Sequence, residues 1–205
     1  MNCTVISISR ALAAGGDEIS RSVAQKKGFR FVDDEIIARA ANKAGVSPET
    51  IASVERSPSL LERILKHLGN TPIEAGHGAY VPFALSAHET YEGLISDVIR
   101  EVAQAGKVVI LAHGASIALS KDAGVFRVLI TGSPDVRAAR LARQAGIEPG
   151  KAAKDIEKSD RERQDFLQRF YGVPHELSTY YDLVVNTDRI SADAAAALVV
   201  SAASG

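Results

Sequence analysis

Residues 4–32 read TVISISRALAAGGDEISRSVAQKKGFRFV. Thr4–Ser9 is short, rich in β-branched residues and nearly all apolar or small. That is the composition of a buried strand, and it stops at Arg10. A run of small residues follows and ends in Gly15-Gly16. Beyond Asp17 and Glu18, Ile19, Val23 and Ala24 recur at helical spacing as far as Lys27, where Gly28 ends the helix. Phe29–Val32 is a second short strand closed by Asp33-Asp34. Strand, glycine turn, helix and strand within about 30 residues make a βαβ unit, which predicts a parallel sheet.

The rest of the chain extends that unit. Residues 34–105 read as helical: DEIIARAANKAG to Gly45, a Ser47-Pro48 start, an amphipathic Ser59–Leu68, a loop over Gly69–Pro82, and a long helix over Ser86–Ala105. This is more helix than a plain crossover needs, so 34–105 is expected to be an inserted subdomain. Val108–Ala112 and Phe126–Thr131 are further buried strands, and Leu183–Asn186 is the last. Ser133-Pro134-Asp135 is expected to cap a helix through Gln144. Glu148–Phe170 is helical and highly charged, as one helix or two, and Ser191–Ser201 is an alanine-rich terminal helix. The expected fold is α/β, a single domain over 1–205 with five parallel strands between helices.

Composition narrows the function. The chain has 205 residues, 24 Lys+Arg against 25 Asp+Glu, 46% hydrophobic residues and one cysteine. The lone Cys3 rules out a disulfide framework and a cysteine-based zinc site. No apolar run reaches the roughly 18 residues of a membrane span. The N-terminus has neither a signal-peptide nor a transit-peptide pattern, so a reducing, cytoplasmic setting is expected. A net charge of −1 argues against a nucleic-acid polymer or membrane surface as partner. The charge is uneven: residues 1–33 carry five basic and three acidic groups, and 134–171 carry nine and seven. Two mildly basic segments suit a small anion, or equally a solvated helix face.

Four elements carry candidate chemistry. In SRALAAGGD, Ser9–Asp17, a strand runs through small residues into a helix N-terminus, whose free N–H groups and dipole form a phosphate cradle. Ser9, Ala13, Ala14, Gly15, Gly16 and Asp17 are its candidates, with a tight ligand-free turn as the plainer reading. The P-loop consensus G-x-x-x-x-G-K-[ST] is not met, because Gly16 stands where the lysine falls. Asp160-Arg161-Glu162-Arg163 could fold over a polyphosphate or be an ordinary charged surface. Arg137 and Arg140 lie three apart on one helix face, with Arg143 extending the stripe. His113-Gly114 ends a strand, where ligands of open α/β sheets bind, although a structural histidine fits there too. His88-Glu89 with Glu92 lacks zinc-site spacing. Asp33-Asp34-Glu35 could hold Mg²⁺ through water, accept substrate hydroxyls, or start a helix.

Taken in order, these pieces resemble the cytidylate kinase-like family, a divergent branch of the P-loop nucleoside monophosphate kinases. ISISRALAAGGDEIS resembles its strand and glycine turn, FVDDEII its second strand and helix start, and VVILAHGAS its strand and substrate loop. ITGSPDVRAARL is similar to the element before the lid, SDRERQDFLQRFYG to the arginine-rich lid, and YYDLVVNTDRIS to the final strand. The resemblance implies a P-loop NTPase-like fold, ATP and Mg²⁺ as cofactors, and phosphoryl transfer to a nucleoside monophosphate, CMP by analogy. It makes 34–105 the acceptor-binding insert and 146–172 the lid. It implies Arg10, Arg161 and Arg163 as catalytic cations, with Arg10 reaching the phosphates from the loop's first turn. Arg137 and Arg140 would join the phosphate site, and Asp33, His113 and Gly114 the acceptor site. His113 stands where the family has an arginine for the acceptor's phosphate. His77, Tyr80, His88 and Tyr91 are further acceptor-cleft candidates. The alternatives are a catalytically weak nucleotide-binding sensor and a kinase of another small acceptor. Partners are expected to be small nucleotides, with a homodimer open.

Overall fold

The computed structural model describes residues 3–49, 51–52 and 87–205. The expected helix at Ser59–Leu68, the loop at Gly69–Pro82, and His77 and Tyr80 lie outside these residues, as do the side chains of His88, Glu89, Tyr91 and Glu92.

The opening βαβ unit forms as its composition requires. Strand β1 is Val5–Arg10, helix α1 is Gly16–Lys27 and strand β2 is Arg30–Val32. Helices α2 (Glu35–Ala44) and α3 (Ala87–Gln104) precede β3 (Val108–Leu111) and a single-turn helix α4 (Ala115–Ala118), which periodicity does not reveal. Then come β4 (Val125–Thr131), α5 (Pro134–Ala145), α6 (Pro149–Tyr171), a 3₁₀ turn at Ser178–Tyr180, β5 (Leu183–Asn186) and α7 (Ala192–Ala202). The charged stretch after Glu148 is one continuous helix of 23 residues, not two. Pro149 starts it, where a missing N–H costs nothing, and left-handed Gly172 stops it.

The five strands are all parallel, in the order β2-β3-β1-β4-β5. Helices cover both faces of the central strands β1 and β3, whose buried residues are apolar apart from Ser7 and Ser9. Val5, Val108 and Ile110 pack toward α2 and α3, against Ile36, Ala40, Ile95, Val98 and Ile99. Their neighbours Ile6, Ile8, Val109 and Leu111 face α1 and α7, against Ile19, Val23, Ala195 and Val199. Each fully buried isoleucine or leucine contributes roughly 1.5–3 kcal/mol. A third, small cluster of Ala138, Ala152 and Ile156 joins α5 to α6.

This order decides where a ligand can sit. The connection leaving β1 runs toward β2, and the one leaving β4 runs toward β5. Two adjacent strands whose connections part leave a crevice at their carboxyl ends. The β1 loop, the β3 turn and the start of α5 all open there.

Candidate active site

The loop between β1 and α1 is built on two left-handed residues, Ala13 (φ 59°) and Gly15 (φ 84°). Gly15 accepts that conformation freely, whereas Ala13 is strained by about 1–2 kcal/mol and needs outside support. The support comes from α5 and β5. Arg140 donates to the Ala13 carbonyl at 3.0 Å, and the Thr187 hydroxyl lies 2.8 Å from the Ala14 carbonyl. Arg140 also donates to the Thr187 carbonyl at 2.9 Å. Arg137 reaches the Leu12 carbonyl at 3.3 Å and the Gly132 carbonyl at 2.9 Å. Its remaining donors take both oxygens of Asp160 on α6, at 3.0 and 2.6 Å. Arg137 and Arg140 therefore act on the β1–α1 loop through its backbone. They hold loop carbonyls, a role that spacing on one helix face does not distinguish from direct anion contact. Thr187 is a site residue that sequence reasoning missed; its only signal is the Asn-Thr closing the last strand.

Ser9 is buried, and its hydroxyl sits 3.4 Å from Ser116 on α4, which pairs with Ser7 at 2.7 Å. Ser9 thus ties the strand end to α4 beneath the loop. Arg10 pairs with Asp17 through two contacts, Nε–Oδ2 2.7 Å and Nη2–Oδ1 3.1 Å. The acid that opens α1 is turned toward a cation. Ser133 precedes α5, but its hydroxyl makes no cap bond. Its N–H is instead satisfied by Asp188 at 2.8 Å, a correction to the expected serine cap.

The β3 turn is strained differently. Ala112, His113 and Gly114 are consecutive left-handed residues, with φ of 66°, 54° and 67°. Tyr171, at the end of α6, donates to the His113 carbonyl at 2.8 Å, and a Cβ on Gly114 would overlap its ring. His113 is buried and points its Nε2 to within 3.7 Å of Asp33 Oδ1, at the end of β2. The His113 imidazole beside it holds the Asp33 carboxyl below its ordinary range, against the opposing effect of burial and with Arg10 and Arg21 adding to the lowering.

Two hollows flank the β1 loop. One, of about 270 Å³, is lined by Arg10, Ala13, Asp17, His113 and Gly114 from the sheet side and by Arg163 and Phe166 from α6. The other, of about 180 Å³, lies between the loop at Ala14-Gly15, Arg140 and Gln144 on α5, and Thr187–Ala192. Arg163 is gripped by Glu176, Nε–Oε2 2.8 Å, and Glu176 also accepts from the Tyr181 hydroxyl. Burial and Glu176 push the Tyr181 phenol up to about 12. Arg161 stands apart. It pairs with Glu157 at 2.9 Å on the exposed face of α6 and lines a separate groove between α5 and α6. The fold therefore brings Arg10, Ala13, Asp17, His113, Gly114 and Arg163 to one cleft, and leaves Arg161 outside it.

The profile of the cytidylate kinase-like family matches residues 5–189, which span every element from β1 to the end of β5. The chain belongs to the cytidylate kinase-like family. Family membership supports phosphoryl transfer to a small substrate. Among solved structures, the chain is similar to an uncharacterized protein from Eubacterium ventriosum, with 16% identity, TM-score 0.65, and 98% of this chain and 97% of that one covered. It is also similar to a shikimate kinase from Bacteroides thetaiotaomicron (15% identity, TM-score 0.50, 97% and 94% covered). A gluconokinase from Sinorhizobium meliloti matches at 11% identity and TM-score 0.50, with 98% and 90% covered. These likenesses place the chain in the P-loop kinase fold. No curated protein matches the sequence. No helix among the described residues is long and apolar enough to cross a membrane.

Proposed function

We propose that the protein transfers the γ-phosphoryl group of ATP to a nucleoside monophosphate, CMP being the acceptor to which the family resemblance points. The observation that carries this reading is the pair of hollows on either side of one phosphate-cradle loop. The 180 Å³ hollow beside Ala14-Gly15 suits a nucleotide donor, whose phosphates would lie on the N–H groups at the start of α1. The 270 Å³ cleft on the other side suits the acceptor. A phosphate oxygen of the acceptor attacks the γ-phosphorus, the bond to the bridging oxygen breaks, and ADP leaves with that electron pair.

Such transfer rests on positioning and charge stabilisation. The cleft supplies Arg10 and Arg163 for the charge, and α6 covers it against water. Mg²⁺ is held through one or two carboxylates plus substrate phosphates. Asp17 has the oxygen donors for that task and stands at the consensus Ser/Thr position; bound Mg²⁺ would neutralise phosphate charge there. Among the described residues no three acidic, histidine or cysteine side chains cluster into a metal site. A coupled assay of ATP with a panel of monophosphates tests the reading: ADP release that depends on an acceptor is expected, and none with any acceptor defeats it.

One observation favours a second reading, nucleotide binding without turnover. Arg161 and Arg163, both lid cations, are engaged by Glu157 and Glu176. Thermal stabilisation by ATP without transfer would select it.

A further inference from the structure

We infer that Arg10 is the phosphate-facing cation of this loop, moved from the helix side to the strand side, and that Gly16 is glycine to let it cross. The inference deepens the proposed function and rests on it.

Aligned on Gly15, the consensus G-x-x-x-x-G-K-[ST] puts its first glycine at Arg10, its lysine at Gly16 and its Ser/Thr at Asp17. The sequence has glycine where the consensus has the cation, and a cation where it has glycine. Geometry explains why these two changes belong together. A Cβ placed on Gly16 would lie 2.5 Å from Arg10 Cβ, 2.9 Å from its Cδ and 3.2 Å from its Cγ. Real Cβ atoms do not approach that closely, so positions 10 and 16 share one volume and only one of them can carry a side chain.

Gly16 has no other reason to be glycine. It starts α1 and is not among the positive-φ glycines, whereas Gly15 beside it is. The need for glycine at 15 is conformational, and at 16 it is steric. Arg10's stem fills the shared space and its guanidinium lines the 270 Å³ cleft. Asp17 holds that guanidinium in place, but their side chains are 31% and 59% exposed. An ion pair so open holds its partners only weakly. A polyphosphate, with more charge and paired oxygens for the guanidinium fork, competes effectively for it. Asp17 is then released toward the same cleft.

The test exchanges the two residues. ATP and inorganic tripolyphosphate binding would be measured by calorimetry on the full chain, with circular dichroism and thermal melting to monitor the fold. Arg10→Gln is expected to weaken binding of both probes by about tenfold or more, the loss of a charge-assisted pair, while Arg10→Lys, which keeps the charge but not the fork, is expected to fall between Arg10→Gln and the native chain. Gly16→Lys alone is expected to weaken binding, because its side chain meets the Arg10 stem. The double variant Arg10→Gly, Gly16→Lys, a consensus loop, is expected to recover affinity to within a few-fold of the native chain. Unchanged binding in Arg10→Gln, unchanged binding in Gly16→Lys, or a folded double variant without recovery would each overturn the inference while leaving the proposed function standing. A native chain that binds neither probe would defeat both.

Discussion

Two turns leave adjacent parallel strands at the same end of the sheet, and they are held in unlike ways. The loop after β1 carries one strained alanine and is gripped through its carbonyls by two arginines and a threonine. The turn after β3 carries two strained non-glycine residues and is gripped by one tyrosine, through a hydroxyl and through ring contact at Gly114. Holding the carbonyls fixes the path of the first loop into the start of α1. Pressing a ring onto the second turn aims a side chain, His113, toward Asp33. The first grip rests on two guanidiniums, and the second sits beside the Asp33–His113 pair.

The largest expected effect breaks the second turn. Gly114→Ala combines a left-handed alanine with overlap onto Tyr171, and should destabilise the fold by about 3 kcal/mol in chemical denaturation. Gly146→Ala is the sharpening control: its φ of 64° is also left-handed but its surroundings are open, so only about 1 kcal/mol is expected. Equal losses would remove Tyr171 from the account. Next comes Arg137→Ala, which strips the first loop of a buried clamp and leaves Asp160 unpaired. About 2 kcal/mol is expected, below the range for a fully buried pair because Asp160 is 41% exposed. Weakened nucleotide binding should accompany it, measured by calorimetry. Tyr171→Phe keeps the ring and loses one hydrogen bond, so about 1 kcal/mol should appear in the urea midpoint.

The smallest effect is a pH dependence. The folded Asp33 carboxyl is lowered by His113, so the pair's stabilisation is present above the unfolded carboxyl value. It is lost as pH falls through the folded value. Stability followed from pH 6 to 2 should therefore decline less steeply in Asp33→Asn than in the native chain. At the other end, Tyr181 is raised to about 12 from 10.0. Its contribution is full below pH 10 and is lost as pH rises toward 12, and Tyr181→Phe should flatten that alkaline decline.

Much of this was legible in the chain. The strands at β1, β3 and β4, the glycine turn and the helix ends at Gly28 and Gly45 follow from patterns a few residues long. The candidate cradle was legible for the same reason. Helical spacing puts Arg161 and Arg163, two residues apart on α6, on different faces, but it does not say which face meets the cleft; one turns to Glu157 and the other to Glu176. Arg137 looked like an anion ligand because nothing local reveals that its acceptors lie at Leu12, Gly132 and Asp160. Tyr171 gave no signal, since its partner is 58 residues away.

The sequence by itself determined the order of strands and helices and the place of a small-residue turn before a helix, because period and turn chemistry are local. Tertiary structure alone decided which cations face the cleft and which hold its walls. An arginine's reach exceeds the spacing that periodicity can read, and its role is set by whichever carbonyl, carboxylate or open space the packed fold brings to its end. Arg10 and Gly16 show both levels at once. The chain states the two residues, and only the fold puts their side chains in the same place.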